Sequence, residues 1–430
     1  MRRKPFITLL GVAGLVTLIP LSGPTALADN VSPDDTPSAG SASPANLQIN
    51  PTGLFALGEV DLSTLGASPI DLVGVGPTAS TSDPGGNLVV EPLGSTECPN
   101  AQYNSIQAAV DAASPGAMIK VCAGTYTEQV TIPVGKDDLT LYSVPDLQAI
   151  IHAPIAFVGH KAIVWVNGAQ NATIRHFTIE GPGSSDCDSI EEGVRVDNGG
   201  SALITDNHIT NIHDTPFGGC QNGLGVRVGR NSDKPATVGS ATIVHNLIDN
   251  YQKGGIVVDG LLDGTAVSHA EVAYNQVQGV GPTPLIAQNG IQVSRGAAAN
   301  VHNNTVSGNA YAPQTVTSVG ILLFEDSSPD TQVAHNDVYA NDEGIGLYTT
   351  TNTTISHNNA HDNLSGDGLF ADTDTANNVI SYNRFENNTP FDCEDASAGT
   401  NNPPANVANF WVKDFGDTES TPGLCKHASP

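Results

Sequence analysis

Gly193-Val194-Arg195-Val196 returns as Gly225-Val226-Arg227-Val228, Gly255-Ile256-Val257-Val258, Gly290-Ile291-Gln292-Val293, Gly320-Ile321-Leu322-Leu323, Gly344-Ile345-Gly346-Leu347 and Gly368-Leu369-Phe370-Ala371. The phrase recurs every 24 to 35 residues, which marks a repeat architecture. An apolar-x-x-Asn phrase follows each copy: Ile204 to Asn207, Ile243 to Asn246, Val272 to Asn275, Val301 to Asn304, Val333 to Asn336, Ile355 to Asn358 and Ile380 to Asn383. Two short strands per period, each closed by a polar turn, describe one coil of a β-solenoid.

Strand side chains alternate, so the first and third residues after each Gly point inward and build an apolar core. The Asn of the second phrase falls at one place in successive coils. Its amide must be satisfied, and stacking the side chains along the axis as a hydrogen-bonded ladder does so. Asn309, Asn341, Asn363 and Asn388 form a second such series.

The chain begins with Arg2, Arg3 and Lys4, an apolar run from Phe6 to Leu21, and Ala26-Leu27-Ala28. That is the pattern of a secretory signal peptide over residues 1–28. Residues 29–97, rich in Pro, Ser, Thr and Gly and without Lys or Arg, read as a linker or N-terminal arm. A single elongated domain over 98–430 follows. Without the leader the net charge is −31, from 13 basic and 44 acidic residues, which speaks against a nucleic-acid partner. No later segment is apolar and long enough to span a bilayer. The mature protein is therefore expected to be secreted or cell-wall associated, and monomeric. Its six cysteines predict disulfides, and a solenoid joins only neighbouring coils. Chain order then favours Cys98 with Cys122, Cys187 with Cys220 and Cys393 with Cys425.

Before the repeats, the segment beginning Ser105-Ile106-Gln107 reads as an amphipathic helix with Ile106, Ala109 and Val110 on one face. It would cover the open end of the solenoid. This stretch, with Ile119-Lys120-Val121-Cys122-Ala123-Gly124-Thr125-Tyr126 after it, resembles the leader of right-handed parallel β-helix proteins of the pectin-lyase-like superfamily. The resemblance covers roughly 98–390 with the repeats and implies an all-β right-handed parallel β-helix of about 9–10 coils with a short N-terminal capping helix. Reaction motifs of pectin methylesterases, polygalacturonases and pectate lyases are missing, so no catalytic residue carries over.

Coils starting at 193, 225, 255 and 290 carry longer connections than the later ones, which predicts walls around a groove. The outward strand positions there are Trp165 and Asn167, Arg195 and Asp197, Arg227, Val257 and Asp259, Gln292 and Ser294, then Leu322 and Phe324, with Arg230 and Arg295 just beyond their strands. Arg195 and Arg227 on adjacent rungs would repel unless an anion or carboxylates lie between them. Paired guanidiniums suit the carboxylate or sulfate of an acidic sugar. Trp165 and Phe324 offer rings for stacking, and Lys253 and Gln292 further polar contacts.

Lyase or epimerase chemistry on a uronate needs a base and a cation, for which Arg195, Asp197, Arg227, Asp259 and Arg295 are the candidates. Hydrolysis needs two carboxyls, and Asp197 and Asp259 lie roughly 10 Å apart by rung spacing. Asp186, Asp188, Glu191 and Glu192 form an acidic loop that could take calcium. The leading reading is a secreted protein acting on an acidic extracellular polysaccharide by lyase or epimerase chemistry. A noncatalytic glycan-binding or cell-wall protein and a glycoside hydrolase are the alternatives.

Overall fold

A computed structural model describes residues 87–426 of the chain, apart from 97, 186, 263 and 265. The expected signal peptide, residues 29–86 of the expected arm, and Asp186 lie outside these described residues. The described chain is a right-handed parallel β-helix, as the repeats predict, but its coils present three faces rather than the two strands per period read from the sequence.

The Gly-led phrases form one ten-stranded parallel sheet that includes Ala162–Asn167, Glu192–Asp197, Leu224–Val228, Gly254–Asp259, Asn289–Ser294, Val319–Phe324 and Glu343–Tyr348. The apolar-x-x-Asn strands, among them Ser201–Thr205, Ser240–Val244, His269–Ala273 and Ala298–His302, stack as the second face together with Ala172–Arg175, where Phe177 stands in place of the Asn. Short strands after the Asn turn, such as His208–Thr210 and Leu247–Asp249, stack as the third. Inward residues of all three faces merge into one core running from Val90 to Cys425.

Close approach explains the leading glycine. A Cβ on Gly255 would stand 2.6 Å from the carbonyl oxygen of Gly290 and 2.3 Å from a methyl of Val277. The same carbonyl contact, at 2.5–2.7 Å, repeats from Gly193 to Gly344. Any other residue would push neighbouring coils apart.

The Asn ladder is present. Asn246 donates from its backbone N–H and its side-chain amide to Oδ1 of Asn275, each at 3.0 Å, and its amide also reaches the Ile204 carbonyl at 2.9 Å. The pattern continues through Asn304, Asn336, Asn358 and Asn383 to Asp414. These bonds hold the preceding residue, from Asp206 through His245 and Tyr274 to Tyr382, at φ of 55–58°, a conformation that side chains other than Gly adopt sparingly.

The second series runs from Asn309 through Asn341, Asn363 and Asn388 to Asp392. A third row, which the sequence reading did not include, links Thr353, Asn378, Asn409 and Asp395. The first two rows donate toward the C-terminus throughout and the third does so as far as Asn409, whose amide turns back to Asp395, so that all three end on an aspartate. The last member has no further coil to donate to, and a carboxylate supplies acceptors only.

The N-terminal helix Ile106–Ala112 buries Ile106, Ala109 and Val110, and Ser105 caps it by accepting the Ala108 N–H at 3.2 Å. Glu128 accepts the Ile106 and Gln107 N–H groups at 2.8 and 2.9 Å, a carboxylate at the positive end of the helix. Strand Leu88–Val90 pairs with Ile119 to Val121, so a part of the stretch read as an arm belongs to the folded unit. The three disulfides join Cys98 with Cys122, Cys187 with Cys220 and Cys393 with Cys425.

Candidate functional site

On the outer side of the Gly-led sheet, Trp165, Arg195, Arg227, Val257, Gln292 and Leu322 follow one another in register. They do not line an open groove. Arg195 is 0% and Arg227 2% exposed, and Asp197, Asp259, Lys253, Gln292 and Arg295 are buried as well. The long connections expected to stand as walls fold over the face instead. The one after Val228 brings Asp233 onto Arg195 and donates the Asn231 N–H to Asp259 at 2.8 Å.

Carboxylates of the chain itself neutralise the arginines. Arg195 Nε meets Asp197 at 2.6 Å, and its Nη1 lies 3.5 Å from Glu192. Glu192 also lies 2.9 Å from Arg227 Nε, which stands 4.0 Å by its Nη1 from Asp259. Arg230 pairs with Glu191 at 3.2 Å and with Asp233 at 3.5 Å, and Arg295 with Asp259 at 3.1 Å and Glu325 at 3.6 Å. Burial would lower the Arg195 pKa, but Glu192, Asp197 and Asp233 outweigh it and raise it. The expected anion between the two arginines is an internal glutamate.

Solvent reaches one end of this ionic row. Trp165 is half-buried, and its indole N–H donates to Asp197 at 2.7 Å. His160 stands edge-on to that ring at 5.0 Å, with its nitrogens 3.9 Å from Glu191 and 3.8 Å from Asp233. The side chains of Arg230, Asp233, Glu191 and His160 keep 11%, 14%, 19% and 31% of their exposure. Burial would raise the Glu191 pKa, but the neighbouring His160 and the charges of Arg230 and Arg195 hold it well below the usual carboxylate range. Glu192, fully enclosed, is raised by burial despite its arginines.

The described members of the acidic loop, Asp188, Glu191 and Glu192, have partners within the chain. Asp188 accepts from Asn222, while Glu191 and Glu192 turn to the arginines. Among the described residues, the group of three with cation-ligating atoms within 4.8 Å of one another is His160, Asp197 and Asp233, and Arg195 already bridges the two aspartates.

The other expected contacts are internal. Lys253 donates to the Ala287 carbonyl at 2.9 Å, and Gln292 to Ser294 at 3.3 Å, which donates to Asp259 at 3.0 Å. Phe324 packs against Val319, Leu322 and Tyr348, with Arg295 over its ring at 5.8 Å. Further along the same face Tyr348 donates to Glu343 at 3.1 Å, where burial and then Asp367 push the Glu343 carboxyl well above its usual value.

Sequence reasoning missed His160, Asp233, Glu343 and Asp367 as partners. His160 lies in a turn before its strand and Asp233 in an irregular connection, where the repeat gives no register. Glu343 precedes its Gly, one place outside the phrase.

Residues 268–406 match a family model described as a right handed beta helix region. No curated protein matches the sequence. Among solved structures the chain is similar to GH136 lacto-N-biosidase from Eubacterium ramulus, with TM-score 0.50 and 13% identity over 79% of this chain and 66% of that one. It is also similar to alginate lyase from Paenibacillus sp. str. FPU-7, with TM-score 0.43 and 14% identity over 66% and 92% of the two chains. An A-module of a mannuronan C-5 epimerase from Azotobacter vinelandii gives 0.42 and 16% over 76% and 94%. At these identities the likeness is one of fold. Among the described residues no helix is long and apolar enough to cross a membrane.

Proposed function

The chain being a right-handed parallel β-helix protein, we propose that it acts on an extracellular polysaccharide at the rim formed by His160, Trp165, Glu191, Arg230 and Asp233. One observation carries the reading: Trp165 is fixed by Asp197 at 2.7 Å beside an imidazole, a guanidinium and two carboxylates that keep partial access to solvent. A ring for the apolar face of a sugar, with oriented charged groups for its hydroxyls and carboxylate, is the combination that carbohydrate recognition uses. Three disulfides are compatible with an extracellular protein, and we take it to act there as a monomer.

For an acidic sugar the reaction is β-elimination or epimerisation beside the carboxylate. His160 takes the proton from the carbon next to that group, and Arg230 holds the carboxylate as negative charge spreads into it. In elimination the released electron pair forms the carbon–carbon double bond, and the glycosidic carbon–oxygen bond breaks with its oxygen taking a proton from the His160 imidazolium or from water and leaving as a hydroxyl. In epimerisation water delivers a proton from the opposite side, and the His160 imidazolium gives its own up to solvent. Arg195 and Arg227 are scaffold in this reading, because no substrate atom reaches them without moving the loops above. Calcium would have to compete with Arg195 for Asp197 and Asp233, so chelation is expected to leave activity unchanged.

Incubation with a panel of uronate polymers, followed by absorbance of unsaturated ends and by NMR of C-5 configuration, tests the proposal. Turnover lost in His160→Ala and Arg230→Ala supports it. Binding without either product would leave a glycan-binding module, and turnover that survives both substitutions places the chemistry elsewhere.

A further inference from the structure

An open concavity lies on a face that the proposed function does not use. It has a volume of about 710 Å³ and lies over the second sheet, where Thr173, Leu203, Thr242, Glu271 and Asn300 follow one another in register along five rungs. At about 4.8 Å per rung this floor runs some 19 Å along the solenoid axis. Ser201, Ser240 and His269 form a parallel row at its side.

One side chain on that floor is held in a fixed orientation. Glu271 accepts the Asn300 amide at 3.0 Å on one oxygen and meets His302 Nε2 on the other, while His302 Nδ1 faces Asn303 Oδ1 at 2.7 Å. Glu271 still keeps 39% of its side-chain exposure. A carboxylate clamped from both sides and open above is a ready acceptor for hydroxyl donors, and its orientation is set before any ligand arrives.

We infer that this face binds a neutral, hydroxyl-rich polysaccharide chain lying along the rungs from Thr173 to Asn300. The floor offers hydroxyls, an amide and a carboxylate at the spacing of the coils, and Leu203 supplies one half-open apolar contact. Its neutrality follows from charge. Glu271 and Asp330 line the groove without Lys or Arg, so a uronate polymer is repelled while a neutral one is not. A protein partner is disfavoured by the lack of any large aromatic or aliphatic anchor besides Leu203.

Affinity electrophoresis in gels containing soluble xylan, mannan or mixed-linkage β-glucan tests this on the full chain, with a pectate gel as the charged control. At least one neutral polymer should retard the wild type, and Leu203→Arg, which fills the floor from an exposed position, should remove that retardation. Glu271→Gln should weaken binding about tenfold, the loss of a charge-assisted acceptor. Circular dichroism of both variants confirms the fold. Equal retardation of wild type and Leu203→Arg, absence of retardation in every neutral gel, or retardation only in pectate would overturn the inference. Trp165→Ala, on the other face, should bind the neutral polymer unchanged, so the two sites fail separately.

Discussion

Glu192 and Arg227 meet across adjacent rungs at 2.9 Å, both shut away from solvent. The same carboxylate faces Arg195, so one acid separates two stacked guanidiniums. Removing one partner of a buried ion pair leaves an uncompensated charge, typically a loss of about 3–5 kcal/mol. Glu192→Ala should therefore lower the urea midpoint markedly, more than removal of the exposed pair partner Glu386 beside Arg384. Equal midpoints for the two variants would show that the buried row adds nothing to stability.

The ladder predicts a different kind of loss. Asn304 accepts two N–H donors from Asn275 and donates to Asn336 and to the Val272 carbonyl, so Asn304→Ala removes four hydrogen bonds, leaving Asn336 Oδ1 with the Asn304 backbone N–H and the Asn275 amide with the Ile243 carbonyl. Each unsatisfied buried group costs about 1–3 kcal/mol, less whatever relaxation recovers. Asn304→Asp keeps both acceptor functions but cannot donate onward, so it should fall between Ala and wild type. Denaturant melts of the three proteins give the order, and Asp no better than Ala would remove the donor–acceptor account.

How much of this was legible follows the repeat. Gly255 and Asn246 recur because the geometry of one coil imposes the same demand on the next, and periodicity in the chain is the direct image of that demand. Disulfide pairing followed for the same reason, since only neighbouring coils touch. The outward arginines were found, but their surroundings were not. Asp233 reaches Arg195 from an irregular connection, and no period reports how such a segment folds back. The sequence therefore pointed to Arg195 and Arg227 as ligand contacts, while the packing of the loops turned them into internal pairs. The groove over Thr242 was missed because its floor is small and polar, with nothing in composition to set it apart from solvated surface.

His160 provides the catalytic test. It is partly exposed and its contacts lie at 3.8–3.9 Å, so His160→Ala should leave the urea midpoint nearly unchanged. A general base contributes about 10²- to 10⁴-fold, and the variant should lose turnover by that order with little change in KM. Arg230→Lys should instead raise KM, because the compact ammonium replaces a planar fork that matches a carboxylate. A parallel fall in stability and turnover for His160→Ala would reassign it as a structural residue.

Asp414, the carboxyl end of the first ladder, gives the protein a pH response with a definite sign. Burial pushes Asp414 up to about 7, although Asn383 and the Val412 N–H donate to it, and pushes Asp326, a buried acid just after strand Val319–Phe324 and outside the ladders, up to about 6. A folded-state pKa above the unfolded value means that the native state holds the proton more tightly. The associated stability is complete below the unfolded pKa of about 3.8 and is lost as pH rises through about 7 for Asp414. The urea midpoint should fall between pH 5 and pH 8. Asp414→Asn no longer titrates and should flatten that fall, even though its amide faces the Val412 N–H and lowers stability at every pH. Asp326 keeps its own share, so a smaller slope should persist in the variant at the acidic side of the window. A profile with the same slope in both proteins would mean that Asp414 is ionised throughout, held by its donors against the effect of burial.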